Sequence, residues 1–259
     1  MGLLSFLKNR ASVTNLPVEP TAAAVPQLQG AEIAAVFYAP RQGGDFYDFI
    51  RVSHDRVLFG LLDVAGRRED DQEILAAAQT TFRESGVELF ADPGVNDPDA
   101  MFELCLRLNR NIIEAAGGVR SCPAFVGCYN EVLGTVWYVN AGHTPGLVRD
   151  DSGVSELGAT ALPLGLFPYA TTDAKIVALE PGGALLVVSR GVIEGQCKRE
   201  EFGMERAEAA LKHSQGLSAK EIGSLVLDDV QQFMCTAPTH NDVTALALVR
   251  SRNGAVQPS

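Results

Sequence analysis

The chain reads as an α+β protein built on antiparallel sheets. Its short apolar runs come in hairpin pairs, its helical stretches come in consecutive pairs, and the one-for-one strand–helix alternation of a parallel sheet is missing. A length of 259 residues with no long linker after residue 30 favours one domain over two. The expected layout is an N-terminal segment and linker over residues 1–30, a domain over 31–250 and a polar tail over 251–259.

Residues 11–30 hold three prolines and an alanine-rich stretch without apolar periodicity, the pattern of a linker. Strand-like runs follow at Ile33–Tyr38, Phe46–Val52 and Val57–Leu62, the last two flanking the polar turn Ser53-His54-Asp55-Arg56. From Gln72 the period becomes helical through Ile74, Leu75, Ala78 and Phe82, with Gly86 as the expected stop. A second helix spans Asp99 to Ala116, where Met101, Leu104, Leu108 and Ile112 share one face and Gly117-Gly118 ends it.

Strands resume at Ala124–Tyr129 and Thr135–Asn140, then at Gly146–Arg149 and Val154–Leu157, then at Ala174–Leu179 and Ala184–Val188, each pair joined by a glycine-bearing turn. A last helix pair covers Glu205–His213 and Ser218–Phe233, the latter opened by the capping-box pair Ser218 and Glu221. The strand Val243–Val249 closes the domain.

A net charge of −11 with no Lys/Arg-rich run disfavours nucleic acid and anionic membrane surfaces as partners. No segment is long and apolar enough to span a membrane. The N-terminal apolar stretch is too short for a signal peptide and its positive charges follow rather than precede it, so the expected location is the cytoplasm. Gly2 does not open a myristoylation motif, because position 6 is Phe. Residues 1–10 fit a short amphipathic helix that touches a partner or a second copy, which keeps a homodimer among the expectations. Five scattered cysteines without a Cys-x-x-Cys pair are expected to be buried and reduced.

The chemistry lies in acids at strand ends: Asp45 after Gly43-Gly44, Asp63 after Leu61-Leu62, and Asp242 before Val243. Mg²⁺ and Mn²⁺ take oxygen ligands and keep several waters, so a few carboxylates and a backbone carbonyl suffice to hold them. Glycine before Asp45 lets the backbone come close. Any one of these acids alone reads as a turn cap. At the end of another strand-like run stands Arg190, in Ser189-Arg190-Gly191.

Taken together, Phe37-Tyr38-Ala39-Pro40, Gly43-Gly44-Asp45-Phe46-Tyr47-Asp48, Leu62-Asp63-Val64-Ala65-Gly66, Asn140-Ala141-Gly142-His143, Leu162-Pro163-Leu164-Gly165 and Asn241-Asp242-Val243-Thr244 resemble bacterial protein phosphatase 2C-type enzymes, in the sporulation stage II protein E branch. The resemblance covers roughly residues 28–250. It implies a sandwich of two antiparallel β-sheets flanked by helix pairs, with two Mn²⁺ or Mg²⁺ ions at one edge. The implied activity is that of a metal-dependent serine/threonine phosphoprotein phosphatase in bacterial partner-switching signalling, where metal-activated water attacks phosphorus in line. The implied partner is a phosphoprotein of the anti-anti-sigma type. By resemblance, Asp63 is the carboxylate shared by both metals, the Val64 carbonyl and Asp45 serve the first, and Asp242 serves the second; Asp63 and Asp45 are the residues on which catalysis rests.

The family carries Thr-Asp-Gly where this chain has Ser189-Arg190-Gly191. The exchange replaces a −1 ligand by a guanidinium that neither deprotonates nor coordinates metal. At an effective dielectric of about 20 and a separation of about 4 Å, its repulsion of a divalent cation is on the order of 8 kcal/mol before relaxation and screening. Three readings stay open: a pseudophosphatase that binds a phosphoprotein or partner without turnover, a one-metal phosphatase in which Arg190 clamps phosphate, or a site restored by Asp48, Glu194 or another acid. One or two metals are therefore expected. Asn241 also replaces an Asp common in the family. Arg67-Arg68 reads as a solvated pair answered by Glu69, Asp70 and Asp71, and His143 as a hydrogen-bonded structural imidazole in a turn. With no sensor, kinase or membrane segment in the sequence, regulation is expected from a partner in trans or from the N-terminal segment.

Overall fold

The computed structural model describes residues 23–38, 44–64, 68–169, 172–234 and 242–252, with the side chains of residues 68–70 left undescribed. The expected N-terminal helix, most of the expected linker, Gly43, Arg67, Cys235, His240 and Asn241 lie outside the described residues. So does most of the C-terminal tail, from residue 253 onward.

In chain order the elements are β1 (Ala31–Tyr38), β2 (Gly44–Arg51), β3 (Arg56–Val64), α1 (Arg68–Leu89), α2 (Asp97–Ala115), β4 (Ala124–Asn130), β5 (Thr135–Ala141), β6 (Gly146–Asp150), β7 (Gly153–Leu157), β8 (Lys175–Ala178), β9 (Ala184–Val188), α3 (Arg190–Ile193), β10 (Gln196–Cys197), β11 (Glu200–Glu201), α4 (Gly203–Lys212), α5 (Ala219–Phe233) and β12 (Val243–Arg250). Two five-stranded antiparallel sheets result. One runs β1-β12-β9-β6-β7 and the other β2-β3-β4-β5-β8.

Alternation along each strand builds three apolar layers. In β12, Leu246 and Leu248 enter the layer between the sheets, with Phe59, Phe125, Tyr129, Leu185 and Val187, while Ala245 and Ala247 face α4 and α5. Both faces of that strand are covered, so its sequence is a continuous apolar run rather than an alternating one. On the far side, α1 and α2 lay Leu75, Phe82, Met101, Leu104 and Ile112 on the outer face of the β2–β5 sheet. Small residues permit the closest approaches. A Cβ at Gly127 would stand 2.2 Å from the Phe59 ring, and one at Gly223 of α5 would stand 2.9 Å from Val36 of β1.

The capping box at α5 forms as read: the Ser218 N–H donates to Glu221 Oε2 at 2.8 Å, and the Glu221 N–H donates to Ser218 Oγ at 3.3 Å. Gly86 does not stop α1, which continues to Leu89. Its missing side chain instead makes room for Leu58, which a Cβ would meet at 2.7 Å. The short α3 and the β10–β11 hairpin carry too few residues to show a period, and the sequence reading passed over them.

Cys105, Cys122 and Cys128 are free and buried, and burial pushes the first two thiols up to about 12. Cys197 departs from the expectation: it lies in the β10–β11 hairpin and is disulfide-bonded.

One buried polar knot ties α1 to the sheet. Asp48 of β2, 1% exposed, accepts from Arg83 Nε at 2.7 Å and from Gln79 Nε2 at 3.2 Å. Replacing Arg83 by Met strands a buried carboxylate. The expected loss is about 3 kcal/mol of unfolding free energy in urea titrations, the low end for such a group because Arg83 keeps some exposure. Adding Asp48→Asn recovers part of the loss.

Candidate metal and phosphate site

Four strand ends meet at one edge of the sandwich: the start of β2 with Asp45, the end of β3 with Asp63, the end of β9 leading into Arg190, and the start of β12 after Asp242. Asp45 and Asp63 are register partners across the β2–β3 ladder, so their carboxylates leave the same face side by side. Asp63 and Asp242 are buried, and the charge of Asp242 is felt at both other acids.

This crowding has a chemical signature. Burial, and after it the Asp63 carboxylate, pushes Asp45 up to about 8, although hydrogen bonds from Ser189 and Thr244 pull the other way. Asp63 is also raised, mainly by burial, against the opposing pull of Arg190. Acids that burial and mutual repulsion hold against ionisation form a place for a cation.

Cross-sheet bonds fix the geometry. Thr244 Oγ1 of β12 donates to Asp45 Oδ2 at 2.9 Å, joining the two sheets at the site. Ser189 Oγ donates to the Asp242 carbonyl at 3.0 Å and receives the Thr244 N–H at 3.0 Å, so the residue that leads into Arg190 is anchored to the strand that carries Asp242. Sequence reading gave no role to Ser189 or Thr244. The signal for Thr244 was available, since Asp242 and Thr244 are two apart along a strand and share a face.

The donor set fits a hard cation in its first half. A Cβ at position 44 would stand 2.4 Å from the Val64 carbonyl oxygen, so only glycine leaves that oxygen its place beside Asp45 and Asp63. The second half fits poorly. Arg190, the first residue of α3, places Nε 3.4 Å from Asp63 Oδ2 and 3.7 Å from Glu194 Oε1. A guanidinium therefore stands against the carboxylate expected to be shared. Among the described residues no three acids, histidines or cysteines converge as a ligand set.

The other candidates separate cleanly. Asp48 is committed to Arg83 and Gln79 and does not restore the site. Glu194 does reach the site, though through Arg190. Asp71 is fully buried rather than solvated, and it is ion-paired to Arg120; Arg67 and the Arg68 side chain lie outside the described residues. His143 is buried, with its backbone N–H donating to Asn140 Oδ1 at 2.8 Å, and burial first and Arg190 second hold its pKa down to about 4. At neutral pH the ring has no proton to spare as a general acid.

A family model described as Stage II sporulation protein E (SpoIIE) matches residues 53–251. The chain belongs to that family. It is 24% identical over 249 residues to Protein IcfG of Synechocystis sp., covering 88% of this chain and 39% of IcfG. To the phosphoserine phosphatase RsbP of Bacillus subtilis it is 26% identical over 152 residues, covering 58% of this chain and 36% of RsbP. The chain thus spans well under half of these curated relatives. Among solved structures, the RsbU and RsbW domains of Rv1364c from Mycobacterium tuberculosis superpose with a TM-score of 0.72 at 23% identity, over 91% of this chain and 65% of that one. The protein phosphatase 2C-like sandwich implied by the resemblance is the fold found.

The raised acid gives a pH dependence whose sign is set. Between pH 6.5, the ordinary value for histidine, and about pH 8, folded Asp45 holds a proton that the unfolded chain has lost, so stability falls as pH rises. His143 acts in the opposite sense only below that window. Metal-free protein is expected to lose about 2 kcal/mol at most between pH 6.5 and 8 in thermal melts. Asp45→Asn flattens this slope, and saturating Mg²⁺ reduces it.

Proposed function

We propose that this domain is a metal-dependent serine/threonine phosphoprotein phosphatase of a bacterial partner-switching pathway, with Arg190 built into its second metal position. The observation that carries the reading is the facing pair Asp45 and Asp63 at the sandwich edge, within the field of Asp242, with Asp45 pushed up to about 8. Membership of the SpoIIE family and the likeness to a phosphoserine phosphatase support it. The cofactor is Mn²⁺ or Mg²⁺, one ion rather than two. Asp63, Asp45 and the Val64 carbonyl are its ligands, and Asp242 faces the half that Arg190 fills.

A bound cation supplies Lewis-acid activation of water and charge neutralisation at phosphorus. The chain's own groups do the rest. Thr244 holds the Asp45 carboxylate in place, and Ser189 fixes the backbone from which Arg190 extends. Arg190, 46% exposed along its side chain, offers paired N–H donors to two phosphoryl oxygens from the solvent side. The proposed substrate is a phosphorylated protein of the anti-anti-sigma type, in the cytoplasm, with a homodimer as the proposed assembly.

A second reading has a specific observation behind it. The Arg190–Asp63 ion pair neutralises the carboxylate that catalysis most requires, which favours a regulator that binds a phosphoprotein without turning it over.

Hydrolysis of p-nitrophenyl phosphate and of a phosphoserine protein under saturating Mn²⁺ separates the two. Slow wild-type turnover, lost about 100-fold or more in Asp63→Asn and raised about tenfold or more in Arg190→Asp, is the expected result. A silent wild type with an active Arg190→Asp supports the binding regulator. Silence in both overturns the phosphatase reading.

A further inference from the structure

His143 ends the turn after β5, and its ring is locked from one side. Asn140 accepts the His143 N–H and donates its Nδ2 to the carbonyls of Leu157 and Thr144, at 3.1 and 3.3 Å. Ring Nδ1 lies 3.2 Å from the Thr144 carbonyl and 3.0 Å from Thr144 Oγ1. The carbonyl can only accept, and the hydroxyl already donates to the Val188 carbonyl, so the proton of the neutral ring sits on Nδ1. Nε2 is left as a bare lone pair. It is buried and finds no hydrogen-bond partner among the described residues, and the residue is 6% exposed.

Buried acceptors of this kind are rare without a reason, and Arg190 is a donor whose charge reaches the ring. Thr144 binds the carbonyl of Val188, two residues before Arg190, and Ser189 is pinned to β12, so ring and arginine share one rigid base. The arginine side chain is half exposed. Its two ion pairs are longer than good hydrogen bonds, and its charge is already felt at the imidazole.

We infer that His143 is a positioning residue for Arg190: its Nε2 receives the guanidinium when Arg190 leaves Asp63, which frees that carboxylate for a divalent cation while keeping the arginine at the site. The inference rests on the reading of Asp63 as a cation ligand for its purpose, though not for its test. Arg190 then has two seats. On Asp63 it closes the metal position, and on His143 it stands beside that position with N–H donors still free for a phosphoryl group. Glu194, one turn further along, is the competing seat.

The ¹⁵N NMR spectrum of histidine-labelled, metal-free protein tests this. Asp63→Asn removes the carboxylate that now holds Arg190, and the His143 Nε2 resonance is expected to move to lower frequency, as an unprotonated ring nitrogen does on accepting a hydrogen bond. In Asp63→Asn combined with Arg190→Met it returns to the wild-type position. Asp63→Ala serves as a second way of removing the carboxylate. An Nε2 resonance that is the same in wild type, Asp63→Asn and the double variant overturns the inference, as does a shift that survives the loss of Arg190. Neither metal binding nor hydrolysis enters this readout, so failure of the phosphatase reading is distinguishable from failure of this one.

Discussion

Like charge crowded at a protein edge is the constraint on which this molecule is organised. Asp45 and Asp63 face each other across one ladder, and Asp242 enters from the other sheet, so the sandwich closes only by bringing acids together. A cross-strand pair of like charges opposes folding, and burial makes the repulsion worse. Three answers are visible in the structure. Asp45 retains its proton to about pH 8, Thr244 donates a hydrogen bond to it, and Arg190 lays a positive charge on Asp63. Each makes the site tolerable without a cation.

The second sheet adds the rigidity that makes such a site precise. Strand β12 is buried on both faces, follows directly on Asp242 and carries Thr244 near its start, while β9 beside it leads into Ser189. Movement of one carboxylate relative to another would require the two sheets to slide, against the apolar layer of Phe59, Phe125, Leu246 and Leu248 between them. The Arg190 side chain, by contrast, is half exposed at the tip of this frame, held by ion pairs of 3.4 and 3.7 Å to Asp63 and Glu194.

Much of this was legible in the chain. Hairpin pairs and helix pairs marked the α+β class, because apolar period changes from two to 3.6 at Gln72 and back at Ala124. The three acids stood at strand ends, and Arg190 stood where the family has an aspartate. Features set by long-range contact stayed hidden. Gly86 looked like a helix stop, yet it answers to Leu58 on a strand. Asp48 looked like a spare ligand, and its commitment to Arg83 and Gln79 depends on how α1 lies on the sheet. Asp71 looked like part of a solvated charge run and is buried against Arg120, while Cys197 looked like a reduced thiol and is disulfide-bonded. The pairing of Thr244 with Asp45 required two residues 199 positions apart to meet.

The central claim is that Arg190 takes the place of a second cation. Calorimetric titration of Mn²⁺ into the metal-free domain tests it most directly. One site in the wild type and two in Arg190→Asp is the result this account predicts; two sites of similar affinity in the wild type, or no added site in Arg190→Asp, would contradict it.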